Sequence, residues 1–229
     1  MLRSYTVFTS IPYRIAVWGL IPAGLVAVAA WSGSKIGDLA LVLPLMILVL
    51  TEVFSDSWLF GGIQTKDSEK IDYLKCSGRG MAVMSNALTA DMIRKLFTAL
   101  AVASVSYFLI GRVKGGAAAM PALAINFISA GETAQEIGLL GYLVLLSYSF
   151  SVLGTFLSRY GSTVYINMML GYGTMMLAGL AGIYCPMLLG YPSNSVFLLD
   201  LLAAAAGGGI SIAAVRAAMK KVKGGYYDE

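Results

Sequence analysis

Long apolar stretches broken by short polar connections set the pattern of the chain, and six such stretches are uncharged or nearly so: roughly 14–32, 39–60, 95–112, 138–158, 163–187 and 195–215. Each approaches or exceeds the ~20 apolar residues that one helical crossing of a bilayer requires. The pattern therefore predicts an all-α, polytopic membrane protein with six transmembrane helices in a single domain covering 1–229. The first stretch follows Arg14, lacks a small-residue cleavage site and precedes five more spans, so it is expected to stay in the chain. Gly115 to Gly131 is also uncharged, but it is short and interrupted by Pro121 and Asn126. Residues 116–135 are expected to form an outer-surface or re-entrant helix. Tyr13, Trp31, Trp58, Tyr160, Tyr184 and Tyr191 fall near span ends, where amphipathic rings sit at the headgroups.

Charge gives the predicted bundle an orientation. Arg3 and Arg14 precede the first span. Lys66, Lys70, Lys75, Arg79, Arg94 and Lys95 lie between the second and third, Arg159 between the fourth and fifth, and Arg216, Lys220, Lys221 and Lys223 follow the sixth. These thirteen basic residues fall on one side, against only Lys35, Arg112 and Lys114 on the other. The positive-inside rule then predicts that both termini and the 61–94 segment are cytoplasmic.

Composition narrows the chemistry. The 229 residues are 58% hydrophobic and 12% charged, with a mean hydropathy of +0.78, against about 25% charged in an ordinary soluble domain. Six spans leave no room among these residues for a soluble catalytic domain of ~100 residues or more. No histidine is present, which excludes histidine-dependent triads and the commonest zinc ligand. Cys76 and Cys185 are placed on opposite sides of the bilayer by the predicted topology, so both are expected to be free thiols.

The long connection between the second and third spans is the one informative polar segment. Asp67 or Ser68 is placed to cap a short helix with Glu69 in its first turn, and Gly78 is a natural stop. Ile71 and Leu74 share a face with Tyr73 beside them, while Lys70 and Lys75 project elsewhere. A second helical stretch, Met81 to Leu88, carries Met81, Met84 and Leu88 at helical spacing, and Thr89 and Asp91 predict a restart into the third span. The segment reads either as a solvated loop packed under the bundle or as a docking surface for a cytoplasmic protein.

The second span ends in Glu52-Val-Phe-Ser-Asp56, followed by Phe60-Gly-Gly, Ile71-Asp-Tyr-Leu-Lys-Cys-Ser-Gly-Arg-Gly80 and a new helix. In these features, and in its six-span plan with both ends inside, the chain resembles the type-2 ABC transporter permease family. The resemblance implies a subunit without catalytic residues of its own, paired with a second permease, identical or different. It also implies cytoplasmic ATPase subunits that carry the ATP and magnesium, export of a peptide, drug or lipid-like cargo, and a bacterial plasma membrane as the setting. It gives Asp67, Glu69, Lys70, Ile71, Tyr73, Leu74, Lys75 and Arg79 the role of coupling to the ATPase. The chain itself has no G-x-x-x-x-G-K-[ST], and Gly207-Gly-Gly209 lacks the phosphate-binding lysine. The nucleotide site is therefore expected in trans, with no cofactor bound by this chain.

Three acidic residues stand within the apolar stretches. Glu52 and Asp56 lie one turn apart, Asp56 about 26 Å along the second span and so near its inner boundary. They are expected to face protein, water or a cation such as Arg94, Lys95 or Arg159, as an ion pair, as part of a substrate or proton route, or by snorkelling. Asp200 sits about one turn into the last span, before Ala203-Ala-Ala-Ala-Gly-Gly-Gly209, whose small residues allow close helix approach. Gly171, Gly173, Gly179 and Gly182 with neighbouring methionines in the fifth span serve helix packing or line a pliable cavity. The basic tail suits anionic lipid headgroups, and no aromatic-studded basic groove supports a nucleic-acid partner. An ATP-independent carrier predicts internal repeats and a lipid-transferring enzyme predicts a run such as D-G-x-x-A-R; neither is evident.

Overall fold

The computed structural model describes residues 2–36, 41–59, 76–77, 79–115, 132–158, 164–188 and 196–224. Among them nearly every residue is helical and no strand occurs. The elements are α1 (Leu2–Phe8), α2 (Ile11–Ile15), a π-helical turn (Ala16–Leu20), α3 (Ile21–Ile36), α4 (Val42–Leu59), α5 (Gly80–Gly115), α6 (Glu132–Ser158), α7 (Val164–Leu188) and α8 (Val196–Gly224). Five stretches are long and apolar enough to cross a membrane: Ile11–Ser32, Gly80–Leu109, Glu136–Ser158, Met168–Leu188 and Phe197–Lys220. The remaining expected span corresponds to α4, which has 18 residues.

Ser10 starts α2: its side-chain oxygen accepts from the Tyr13 N–H at 3.4 Å, and Pro12 sits in the first turn, where its missing N–H costs nothing. The π turn places one extra residue in the helix just before Pro22, so Tyr13 and Val17 still face the bundle while Trp18 and Leu20 face outward.

One expectation is corrected. The sequence predicts a break at Thr89 and Asp91, but α5 runs unbroken from Gly80 to Gly115. Thr89 turns its hydroxyl back onto the Ser85 carbonyl at 2.9 Å, and Asp91 spends its carboxylate on Arg94 and Lys95 instead of capping. The 80–94 portion of the expected coupling segment is thus the first two fifths or so of a 36-residue helix, and the membrane-length stretch Gly80–Leu109 takes in Arg94 and Lys95, which the sequence places ahead of or at the start of the third span.

α6 is the centre of the bundle, in contact with α4, α5, α7 and α8, and half of its apolar window is buried. Its small residues permit this. A Cβ on Gly154 would lie 2.5 Å from Val53 Cγ2 of α4 and 2.8 Å from Thr174 Oγ1 of α7, so both neighbours approach its bare backbone. Its hydroxyls are satisfied within the helix or across it: Ser147 donates to the Leu143 carbonyl, and Ser149 to those of Leu145 and Ala203. Leu45, Leu48, Val102, Ala103, Tyr142 and Leu143 join α4, α5 and α6 in the main core. α7 turns Gly171 and Gly182 toward α4 and α6, while Met169, Met176 and Met187 are exposed on its outer side. Gly171, Gly179 and Gly182 therefore serve packing, whereas Gly173 faces open space. α8 is peripheral, with about a tenth of its window buried.

Candidate functional site: a buried charge cluster

Five ionisable side chains meet where α4 ends and α5 is a third of the way along. Glu52 and Asp56 share one face of α4, and Asp91, Arg94 and Lys95 one face of α5, at the i, i+3 and i+4 spacing that brings side chains together on a helix. All five are at least 97% buried. Arg94 grips Glu52 through both terminal nitrogens, Nη1 to Oε1 at 2.9 Å and Nη2 to Oε2 at 2.5 Å, while its Nε donates to Asp91 Oδ1 at 2.9 Å. Planar and permanently charged, the guanidinium fits this three-point arrangement as an ammonium would not.

Lys95 completes the cluster. Its Nζ lies 3.4 Å from Asp91 Oδ2 and 3.6 Å from Asp56 Oδ1, and donates to Thr155 Oγ1 of α6 at 2.6 Å. The Thr155 hydroxyl in turn donates to the Ser151 carbonyl at 2.7 Å, so one ammonium ties α4, α5 and α6 together. Ser55 donates to the Glu52 carbonyl at 2.9 Å and stands 3.4 Å from Glu52 Oε2.

Two tyrosines cover the cluster from the N-terminal elements. Tyr5 of α1 is 3% exposed and Tyr13 of α2 is 4% exposed, and both pack with Val17 and against Ala90 of α5. The Tyr5 hydroxyl is buried with no hydrogen-bond partner among the described residues. Burial pushes its ionisation up to about 12; the Asp91 and Glu52 charges add to this and Arg94 opposes it.

Of the other site residues expected from sequence, Asp67, Glu69, Lys70, Ile71, Tyr73, Leu74 and Lys75 lie outside the described residues, as does most of the expected 116–135 helix. Arg79 is exposed in the turn before α5, its carbonyl accepting from the Val83 N–H at 3.0 Å. Asp200 is remote from the cluster. Its carboxylate rests against α6, 3.5 Å from where a Cβ on Gly141 would stand, and Oδ1 is buried without a hydrogen-bond partner among the described residues. Cys76 is exposed and Cys185 half-buried, both free. Among the described residues no group of three acidic or thiol side chains is arranged to hold a metal ion.

Sequence reasoning passed over Asp91 as a site residue, treating it as a helix start. Its signal was its spacing to Arg94 and Lys95. As for what the cluster does, its opposite charges pair with one another and clamp α4, α5 and α6 together. No protein-family model, curated protein or solved structure matches this chain.

Proposed function

We infer that the chain is the membrane-spanning permease subunit of an ATP-driven exporter. In this reading α4 supplies a sixth span, both ends face the cytoplasm, and ATP is hydrolysed on a separate subunit. The observation that carries the reading is the Glu52–Arg94 clamp. It joins the two helices on either side of residues 60–79, the connection through which a cytoplasmic motor would push. A push delivered there moves the ends of α4 and α5 together, and Lys95 to Thr155 carries it into α6 at the centre of the bundle. Buried, doubly hydrogen-bonded pairs resist separation, because parting them leaves an uncompensated charge in a low-dielectric interior. Motion is thus transmitted as rigid-body displacement.

The exposed apolar faces of α7 and α8 suit lipid or a second permease subunit, and an apolar bundle suits a peptide, drug or lipid-like cargo. Copurification from the native membrane in mild detergent, followed by mass spectrometry, tests the reading. A nucleotide-binding subunit in stoichiometric amount is the expected companion, and its absence from a preparation that keeps the chain folded overturns the assignment.

A further inference from the structure

α1 occupies a seat that no other element fills. Tyr5 projects over the charge cluster beside Tyr13, and Phe8 packs into a small apolar group made by Met81, Met84 and Leu88 of α5 with Val215, Ala218 and Met219 of α8. Arg3, Thr6 and Val7 face outward. One seven-residue helix therefore bridges α5 and α8 at the same end of the bundle as the cluster.

Three features make this bridge separable. First, α2 does not depend on α1 for its start: Ser10 receives the Tyr13 N–H on its side chain and the Arg14 N–H on its carbonyl, so the helix begins afresh after non-helical Thr9 and Ser10. Second, the buried Tyr5 hydroxyl has only Tyr13 beside it and makes no well-formed hydrogen bond among the described residues, which weakens the seated state relative to a displaced one in which water supplies that bond. Third, the Phe8 seat is lined by methionines, whose flexible, polarizable side chains refill a vacated space more readily than branched residues do.

We propose that α1 is a reversible clasp: seated, it pins α5 to α8 and covers the charge cluster; released, it frees those two helix ends and admits water to the Glu52–Arg94 clamp. This gives the transport subunit a closed state held from within its own chain, and it rests on the transport reading for its purpose, though not for its geometry.

Spin-label distance measurements on the full chain in phosphatidylcholine vesicles, without nucleotide or partner, test it. With Cys76 and Cys185 replaced by serine, labels at Thr6→Cys and Lys220→Cys, both exposed, report the separation of α1 from α8. A control pair at Ile137→Cys and Leu201→Cys reports the rest of the bundle. Two populations are expected, seated and displaced. Phe8→Ala should raise the displaced-to-seated ratio by roughly tenfold or more, as truncation of a seated phenylalanine implies, while the control distance stays put. Tyr5→Phe keeps the apolar contacts and removes the unsatisfied hydroxyl, so it should lower the ratio. This variant decides the matter if Phe8→Ala disturbs the control pair. A single short distance indifferent to both substitutions overturns the clasp. Because no partner is present, that result leaves the ATPase association to copurification, and a failed copurification leaves the clasp standing.

Discussion

Arg94 of α5 and Glu52 of α4, 42 positions apart in sequence, form a two-point ion pair in which both side chains are almost fully buried. Removing either partner strands a charge in the interior, at a cost of about 3–5 kcal/mol. Arg94→Met is expected to be the worse change, because it strips Glu52 of its cation and leaves Asp91 with Lys95 alone. Joint replacement by Glu52→Leu and Arg94→Met should recover part of the loss, since an apolar pair has no charge to desolvate. Thermal unfolding in detergent of the two single variants and the double variant checks this, and strictly additive losses would show that the pair is not coupled.

Gly154 marks a close approach of α6 to both α4 and α7. Gly154→Ala would force a methyl group to 2.5 Å from Val53 Cγ2 and 2.8 Å from Thr174 Oγ1, neither of which is the far end of a flexible chain. Overpacking of this kind costs about 1–3 kcal/mol. Adding Val53→Ala should return part of the loss by making room. Gly173 on α7 and Gly208 on α8 have open space where their Cβ would stand, so alanine there should leave the melting temperature nearly unchanged. Equal melting shifts at Gly154 and Gly173 would show that α4, α6 and α7 do not meet as described.

Seating of α1 should depend on pH at the alkaline end. Tyr5 ionises near 10 when solvated and near 12 when buried, where Asp91 of α5 and Glu52 of α4 disfavour its anion, Arg94 favours it and Tyr13 of α2 lies alongside. A raised value means that the seated state is fully favoured below pH 10 and loses that advantage as the pH climbs toward 12. The α1-to-α8 distance should therefore lengthen across this window in the parent and change less in Tyr5→Phe. The difference between the two isolates Tyr5 from the lysines that titrate in the same range.

Much of this fold was legible because membrane helices announce themselves through uninterrupted apolar stretches. Val42–Leu59, Val164–Leu188 and Val196–Gly224 begin within three residues of the stretches read from sequence. Residues 80–94 were misjudged because polar side chains inside a helix imitate caps. Thr89 and Asp91 look like a restart until Arg94 and Lys95 are seen to consume the Asp91 carboxylate one turn later. The π turn at Ala16–Leu20 has no composition of its own to betray it. The seat of Phe8 is built from two helices more than a hundred residues apart in sequence, and local periodicity carries no trace of such a contact.

The coupling role proposed for residues 67–79 predicts that Tyr73→Asp and Leu74→Asp, separately or together, reduce stimulation of the partner's ATP hydrolysis while leaving the chain inserted. Placing a carboxylate on an apolar docking face costs the desolvation of a charge that has no partner there. Lys70→Gln, on the opposite side of the expected helix, should have a much smaller effect. ATPase assays on the reconstituted complex, with membrane insertion checked by carbonate extraction, decide it; unchanged stimulation in the aspartate variants refutes the docking role.

Orientation follows from a single thiol. Cys76 is exposed just ahead of α5, and Cys185 is half-buried near the far end of α7. With Cys185 replaced by serine, a membrane-impermeant maleimide should leave Cys76 unmodified in intact cells and modify it in inverted vesicles. This outcome is expected because, with Arg94 and Lys95 set aside as buried midway along α5, eleven of the other fourteen basic residues fall on its predicted side of the bilayer, and lysine and arginine near span ends resist translocation. The converse labelling, in intact cells, would put residues 60–79 outside, beyond the reach of any cytoplasmic motor. The Glu52–Arg94 clamp would then still hold α4 to α5, but with nothing at that end to drive it.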